Sequence, residues 1–401
     1  MVKDEYGQII TPSYLALDRD FGQRSLSSLE PGKDYKYGSQ ADANARAWRN
    51  SNTPTFRSIK KLLGYQNEIS ARLSETNTRT FRGVDLAHLL VKGLERNLQE
   101  DVEKLSPSDR LRFVGETQGQ AKRAVVAIPN NYTLPKILDM VGSIERLPEF
   151  REVRFVYEAE AVLFNYLSKN FSKQKPGTEN VMIFDMGGAT INLSVFRVHY
   201  EDRGGTLFYQ VETLGRIGYG VGGDNIDVAL MEHLLKFPEV GAYVHTEKRR
   251  RYELEHKEDI LPSILTLKKD VIRYKSSSIP DKNSVLLNGV TFKKFMDQIS
   301  GQRCQMEIDE YNCDDTCSGL LLSNELESYV YRNITDVVSE IMNYPNVKGQ
   351  GIQTIIFSGR STLFPLVKER VKEALVDHLG KERMPKLYRL DDSEVKTAVA
   401  Y

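Results

Sequence analysis

The chain has 401 residues, 40% of them hydrophobic, and 55 Lys+Arg balance 55 Asp+Glu for a formal net charge of +0. Balanced charge leaves no broad basic face for nucleic acid or an anionic membrane, and no apolar run approaches the roughly 20 residues that cross a bilayer. Three cysteines are too few for a disulfide framework and point, with an opening MVKDEYGQ that lacks an apolar signal core, to a reducing, cytoplasmic setting.

The length accommodates two domains, and the order of elements predicts two α/β halves, 1–169 and 170–401. After a loop-rich opening, Val84–Val102 has the apolar period of a helix. Ala124–Ile128 reads as a strand stopped by Pro129, with helices beyond. Ser172–Asn180 is polar, with Pro176-Gly177 at its centre, and reads as a turn or linker. Val181–Phe184 then reads as a buried strand, Asp185 to Gly188 as a sharp turn, and Ile191, Leu193 and Val195 as the returning strand. The cluster Gly218-Tyr-Gly220-Val-Gly222-Gly223 feeds a helix with Asp227 as its N-cap and Val228, Met231, Leu234 and Leu235 inward. Lys248–Arg251, with His256 and Lys257 among glutamates, reads as a solvated helix face. Cys304, Cys313 and Cys317 have no zinc-site spacing and no histidine nearby, so a loop is expected there. Asn324 and Glu327 form a capping box for a helix with Val330, Ile334, Val337 and Ile341 on one side. Thr354–Phe357 is a further buried strand, followed by a helix over Leu366–Leu379.

Three glycine turns carry the chemistry. In Asp185-Met-Gly187-Gly188-Ala189-Thr190 the glycines let backbone N–H groups approach a phosphate, Thr190 adds a hydroxyl, and Asp185 can hold a hydrated magnesium ion or polarise water. Gly222-Gly223 precedes a helix start. Ser358-Gly359-Arg360-Ser361-Thr362 joins a strand to a helix N-terminus, where free amides and the helix dipole favour an anion. Each turn taken alone also reads as an ordinary turn of an α/β protein. Their order is more specific: Asp-x-Gly-Gly-x-Thr, then Gly-Gly-Asp-x-x-Asp, then Gly-x-Ser-Thr-x-x-Pro.

That order resembles the nucleotide-binding domain of the DnaK-type heat-shock protein 70 chaperones, within the actin-like ATPase fold. Gly7-Gln-Ile-Ile-Thr11-Pro12-Ser13, Thr55–Gly64, Val126–Tyr132, Arg154–Ala161 and Glu394–Tyr401 are similar to further family segments in the correct order. The resemblance implies a two-lobed, ribonuclease H-like α/β fold of mixed sheets flanked by helices. It also implies a peripheral subdomain at about 216–300 and an insertion at about 301–320 holding the cysteines. It assigns catalysis to Lys60, Glu158 and Asp185. Mg2+ would be held through water by Asp185 and Glu158. Nucleotide, ATP or ADP, would be bound by Gly187, Gly188, Ala189, Thr190, Gly222, Gly223, Asp270, Arg273, Ser277, Gly359, Arg360 and Ser361. Asp270, Arg273 and Ser277 share the spacing of one helix face.

The implied function is a stress-response chaperone ATPase coupling nucleotide state to protein-folding clients, as a monomer meeting co-chaperones and unfolded peptides, with no nucleic-acid or membrane partner. The family's first phosphate hairpin and its substrate-binding domain have no counterpart in this sequence. Asn192 stands where the family places an aspartate near the attacking water. Arg360 replaces a glycine, and Leu363 an arginine, in the adenosine turn. These departures lead to an expectation of weak or absent hydrolysis. The alternative is an inactive pseudo-ATPase serving as a co-chaperone or interaction module.

Overall fold

The computed structural model describes residues 14–18, 24–38, 40–41, 55–56, 59–65, 68–73, 78–104, 106–108, 122–226, 330–363, 365–388 and 390. Within them the protein is a mixed α/β structure with several sheets. The chain divides into two compact units, one built from residues up to Ile128 with Tyr132–Tyr157, the other from Pro129–Asn131 and the residues from Glu158 onward.

In the first unit β1 (Leu15–Leu17) lies between β2 (Tyr35–Tyr37) and β3 (Thr55–Phe56), antiparallel to both. β4 (Ile69–Arg72) and β5 (Thr78–Phe81) form an antiparallel pair. α1 (Gly83–Glu103) follows, then β6 (Lys122–Ile128), α2 (Leu134–Glu145) and β7 (Phe150–Tyr157), with β6 parallel to β7. The helix expected over Val84–Val102 is therefore present with one more residue at each end. Its start is fixed by the Arg82 N–H donating to Asp85 Oδ2 at 2.8 Å, which satisfies an otherwise orphaned first-turn amide. Asp85 also pairs with Arg146 at 2.8 Å. Gly93 lies against Tyr37; a Cβ there would sit 2.7 Å from the ring, so only glycine admits the helix to this depth.

The second unit is a three-layer sandwich. α3 (Glu158–Asn170) precedes a long meander of β8 (Gly177–Met186), β9 (Ile191–Arg203) and β10 (Thr206–Tyr219). α4 (Arg332–Met342), β11 (Thr354–Ser358), α5 (Pro365–Leu379) and β12 (Lys386–Tyr388) complete the described part. The sheet order is β10-β9-β8-β11-β12; the meander is antiparallel, and β11 runs parallel to both β8 and β12.

Alternation along the strands assigns the two faces. Met182, Phe184, Leu193, Val195, Ile355 and Phe357 form one core with Ile334, Val337, Val338 and Ile341 of α4 and Val367, Val371 and Leu375 of α5. The α4 positions repeat at i, i+3, i+4 and i+7, the apolar stripe of a surface helix. Val181, Ile183, Phe196, Val198 and Ile356 turn the other way, onto Ala159, Val162, Leu163, Tyr166 and Leu167 of α3.

Two local readings change. β8 begins at Gly177, inside the segment expected as a turn. Its polar residues are satisfied rather than solvated: Asn180 N–H donates to Gln353 Oε1 at 2.7 Å, and Glu179 accepts from Tyr166, Tyr200 and Thr354. β10 was not among the expected elements, although Leu207, Phe208, Tyr209 and Val211 in its largely exposed first half are strand-forming residues; Gly215 and Gly218 interrupt its far half.

Candidate functional site

Glycine turns leave the C-terminal ends of β8 and β11, the two parallel neighbours of the second sheet, where open α/β sheets place their ligands. Gly218 of β10 faces Asn192 of β9, Asn192 faces Asp185 of β8, and Asp185 stands beside Ser358 of β11. The result is one transverse row on the face that α3 covers. Asp185 is 4% exposed, Asn192 0% and Ser358 1%. Apolar residues fill the same face deeper in the sheet, so this row is the point at which the core turns polar.

Asn192 organises the row. Its Oδ1 accepts the Asn130 N–H at 2.8 Å, and its Nδ2 donates to Glu158 Oε2 at 2.8 Å, with Thr190 Oγ1 at 3.3 Å and Asp185 Oδ2 at 3.4 Å. A backbone N–H can only donate and an ionised carboxylate can only accept, so these neighbours fix which way the carboxamide points. Asn130 Nδ2 reaches Leu193 O, Ser194 Oγ and Ile217 O. It can enter because position 218 is glycine: a Cβ there would lie 2.8 Å from Asn131 N. Glu158, the first residue of α3, is buried at 9% exposure.

The three glycine motifs meet at the next level up. Gly187 O accepts the Gly223 N–H at 2.8 Å and the Ser361 hydroxyl at 2.9 Å, while Gly188 O accepts the Asp224 N–H at 2.8 Å. Two glycines are indispensable to this junction. A Cβ at Gly222 would come 2.5 Å from Gly188 O, and one at Gly359, whose φ is +81°, would come 2.5 Å from Met186 O. Gly222 N–H donates to Asn225 Oδ1 at 3.0 Å, and Thr362 Oγ1 donates to Gly359 O at 2.8 Å, closing the two outer turns.

The hairpin tip is less generous to an anion than its glycine content implied. Gly187 N–H donates to Thr190 O at 3.0 Å and so belongs to the turn. Among the described residues the amides of Gly188, Ala189 and Thr190 meet no backbone acceptor, and Gly188 is exposed. The Ser361 side chain is buried and engaged with Gly187, whereas Arg360 is exposed.

The structure thus brings together Glu158, Asp185, Gly187, Gly188, Ala189, Thr190, Gly222, Gly223, Gly359, Arg360 and Ser361 of the expected set. Lys60 belongs to the first unit, exposed on a 3-10 turn Ile59–Leu62 between the buried Ile59 and Leu63. Asp270, Arg273 and Ser277 lie outside the described residues, as do Asp227, Asn324 and the three cysteines. The sequence had marked Asn192 only as a departure and had assigned no role to Asn130, Ser358 or Asp224, although each falls within a stretch it singled out. The period-2 alternation puts Asp185 and Asn192 on one face, but strand pairing had to make them neighbours. Among the described residues no group of three or more His, Cys, Asp or Glu side chains could hold a metal, and no helix is long and apolar enough to cross a membrane.

The chain is similar to known proteins. The chaperone protein dnaK of Guillardia theta is 24% identical over 189 residues, covering 45% of this chain. The matched stretch spans 28% of that relative's length. A family model described as Hsp70 protein matches residues 1–385, a family whose domains bind nucleotide and have the actin-like ATPase fold. With a match over nearly its whole length, the chain belongs to the Hsp70 protein family.

Proposed function

We propose that the second unit binds an adenine nucleotide, with its phosphates at the Asp185–Thr190 hairpin, as the ATPase module of a DnaK-like chaperone that couples nucleotide state to folding clients and co-chaperones. The observation that carries this is the junction at Gly187 and Gly188, where the Gly223 and Asp224 amides and the Ser361 hydroxyl tie three separate glycine turns into one cradle. Such a cradle offers backbone amides where a Cβ would block them.

Gly188, Ala189 and Thr190 then supply phosphate donors, and the turns at Gly222-Gly223 and Gly359–Ser361 bound the nucleoside, with Asp270, Arg273 and Ser277 as the proposed adenosine clamp. Phosphoryl transfer asks mostly for positioning and charge neutralisation. Lys60 is proposed, from the family resemblance, to orient the water and offset developing charge on the γ-phosphate. Asp185 and Glu158, both hydrogen-bonded by Asn192 Nδ2, are the residues that would hold a hydrated magnesium ion through water. Bound there, Mg2+ would offset the charge on phosphate oxygens.

Hydrolysis is proposed to be slow. Position 192 faces Asp185, and a carboxamide cannot take a proton from water as a carboxylate can. The same observation supports the second reading, a pseudo-ATPase that binds nucleotide or partners without turnover.

Titration calorimetry of the 401-residue chain with MgADP, followed by single-turnover hydrolysis of ATP, tests both. Micromolar binding with turnover far below that of an active ATPase is expected. Absence of binding heat leaves only the interaction module, and fast turnover removes the pseudo-ATPase reading.

A further inference from the structure

In the first unit, the exposed segment Arg24-Ser25-Leu26-Ser27-Ser28 has its backbone held by basic side chains. Its 3-10 turn, Leu26–Ser28, is too short to satisfy its own carbonyls. Arg79 donates to Arg24 O at 2.8 Å, and Lys92 of α1 donates to Ser27 O at 2.7 Å and Leu29 O at 2.8 Å. Arg24 reaches Ser28 O at 3.4 Å and pairs with Asp34. The acids of this loop are already answered: Asp34 by Arg24 and by the Glu30 N–H at 2.7 Å, Glu30 by Lys33 at 3.4 Å. Lys92 meets no carboxylate among the described residues, so a full positive charge faces only the partial charges of two carbonyls. The same turn presents hydroxyls to solvent. Arg24, Ser25, Ser27 and Ser28 are exposed and Leu26 is half-buried. Ser28 Oγ donates to Ser25 O at 2.8 Å, whereas the Ser25 and Ser27 hydroxyls share one exposed hydrogen bond at 3.1 Å. Ser27 stands three residues after Arg24, the spacing at which the acidic substrate groove of an arginine-directed kinase takes a guanidinium.

We propose that Ser27 is a phosphorylation site for an arginine-directed serine/threonine kinase, with Lys92 as the cation that receives the phosphate. The Ser27 hydroxyl oxygen bonds to the γ-phosphorus of the kinase's ATP, and the bond from that phosphorus to the β,γ-bridging oxygen breaks. ADP leaves, and the hydroxyl proton passes to a carboxylate of the kinase. The product carries nearly two negative charges beside Lys92, with Arg24 and Arg79 on other carbonyls of the same segment. A contact between a charge and a carbonyl becomes one between two charges, which fastens the segment more firmly to α1.

The 401-residue chain is incubated with MgATP and the catalytic subunit of cyclic-AMP-dependent protein kinase, and phosphopeptides are located by mass spectrometry against a kinase-free control. Phosphate is expected on Ser27. Most of it should be lost in R24K, which keeps a positive charge for Asp34 but not the guanidinium that the kinase reads. Melting is then followed after nucleotide is removed, so that nucleotide bound elsewhere on the chain contributes nothing. The phosphorylated protein should melt roughly 2–4 °C above the unmodified one. K92M, which keeps the apolar stem without the charge, should be phosphorylated as well as the native chain and show no such rise. Failure to label Ser27, labelling that is unchanged in R24K, or a K92M protein stabilised as much as the native one overturns the proposal. Salt gives a further reading that needs no variant: the rise should shrink as KCl increases, and a rise indifferent to salt also overturns the proposal.

Discussion

At the scale of single residues, the site depends on atoms that are missing as much as on atoms present. Gly359 combines a φ of +81° with a Cβ position 2.5 Å from Met186 O. Gly359→Ala therefore meets both backbone strain and a collision with β8. It should lower stability by about 1–3 kcal/mol, read as a reduced urea midpoint, and weaken ADP binding together with it. Gly187, whose added Cβ would meet nothing within 4 Å, provides the contrast: alanine is sterically accepted there. The glycine motif made both residues visible as candidates, but only the packed neighbours separate the one that must be glycine from the one that need not be. Asn192 illustrates the same limit. Its letter marked a departure from the family, whereas its role comes from four hydrogen bonds to residues between 2 and 62 positions away.

At the scale of elements, β8 is long because its polar start is paid for at the end of the sheet opposite the site. Glu179 accepts hydroxyls from Tyr166 of α3, Tyr200 of β9 and Thr354 of β11, the last at 2.6 Å. Burial, reinforced by the nearby Glu179 carboxylate, pushes the Tyr166 hydroxyl up to about 12 and raises Tyr200 as well. The sign follows directly. These tyrosines stay protonated in the fold and ionise near 10 in the unfolded chain, so their contribution is complete below pH 10 and is lost as pH rises towards 12. Urea midpoints should fall across that window, and Tyr166→Phe with Tyr200→Phe should flatten the fall; an unchanged slope in the double variant counts against this network. The sequence reads Ser172–Asn180 as a turn because Pro176, Gly177 and polar side chains dominate it. Nothing local reveals that three hydroxyls from three other elements wait for Glu179. The helices were far more legible: α1, α4 and α5 follow the 3.6-residue apolar period, and that period is a property of the chain itself.

At the scale of the whole molecule, the second unit is two packed layers of helix around one sheet, with its polar row at the ends of the parallel strands β8 and β11. Ligand binding there is linked to folding by mass action: ADP at about 100 times its Kd should stabilise the native state by about 2.7 kcal/mol. Hydrogen exchange localises the effect. Slower exchange is expected at Gly188–Thr190 and in the turns around Gly223 and Gly359, with little change in α1 and α2 of the first unit. Protection confined to other segments would remove the nucleotide from this cradle. The sequence by itself determined the helices and the central buried strands, the balanced charge, and the identity of the glycine turns. All of these are set by residue types within a few positions of one another. Only the tertiary structure decided that Gly187, Gly223 and Ser361 share one carbonyl, that Asp185 and Glu158 face the same amide, and that Asn130 holds that amide in place. Each of these depends on strand register and on contacts between distant segments, which no local pattern encodes.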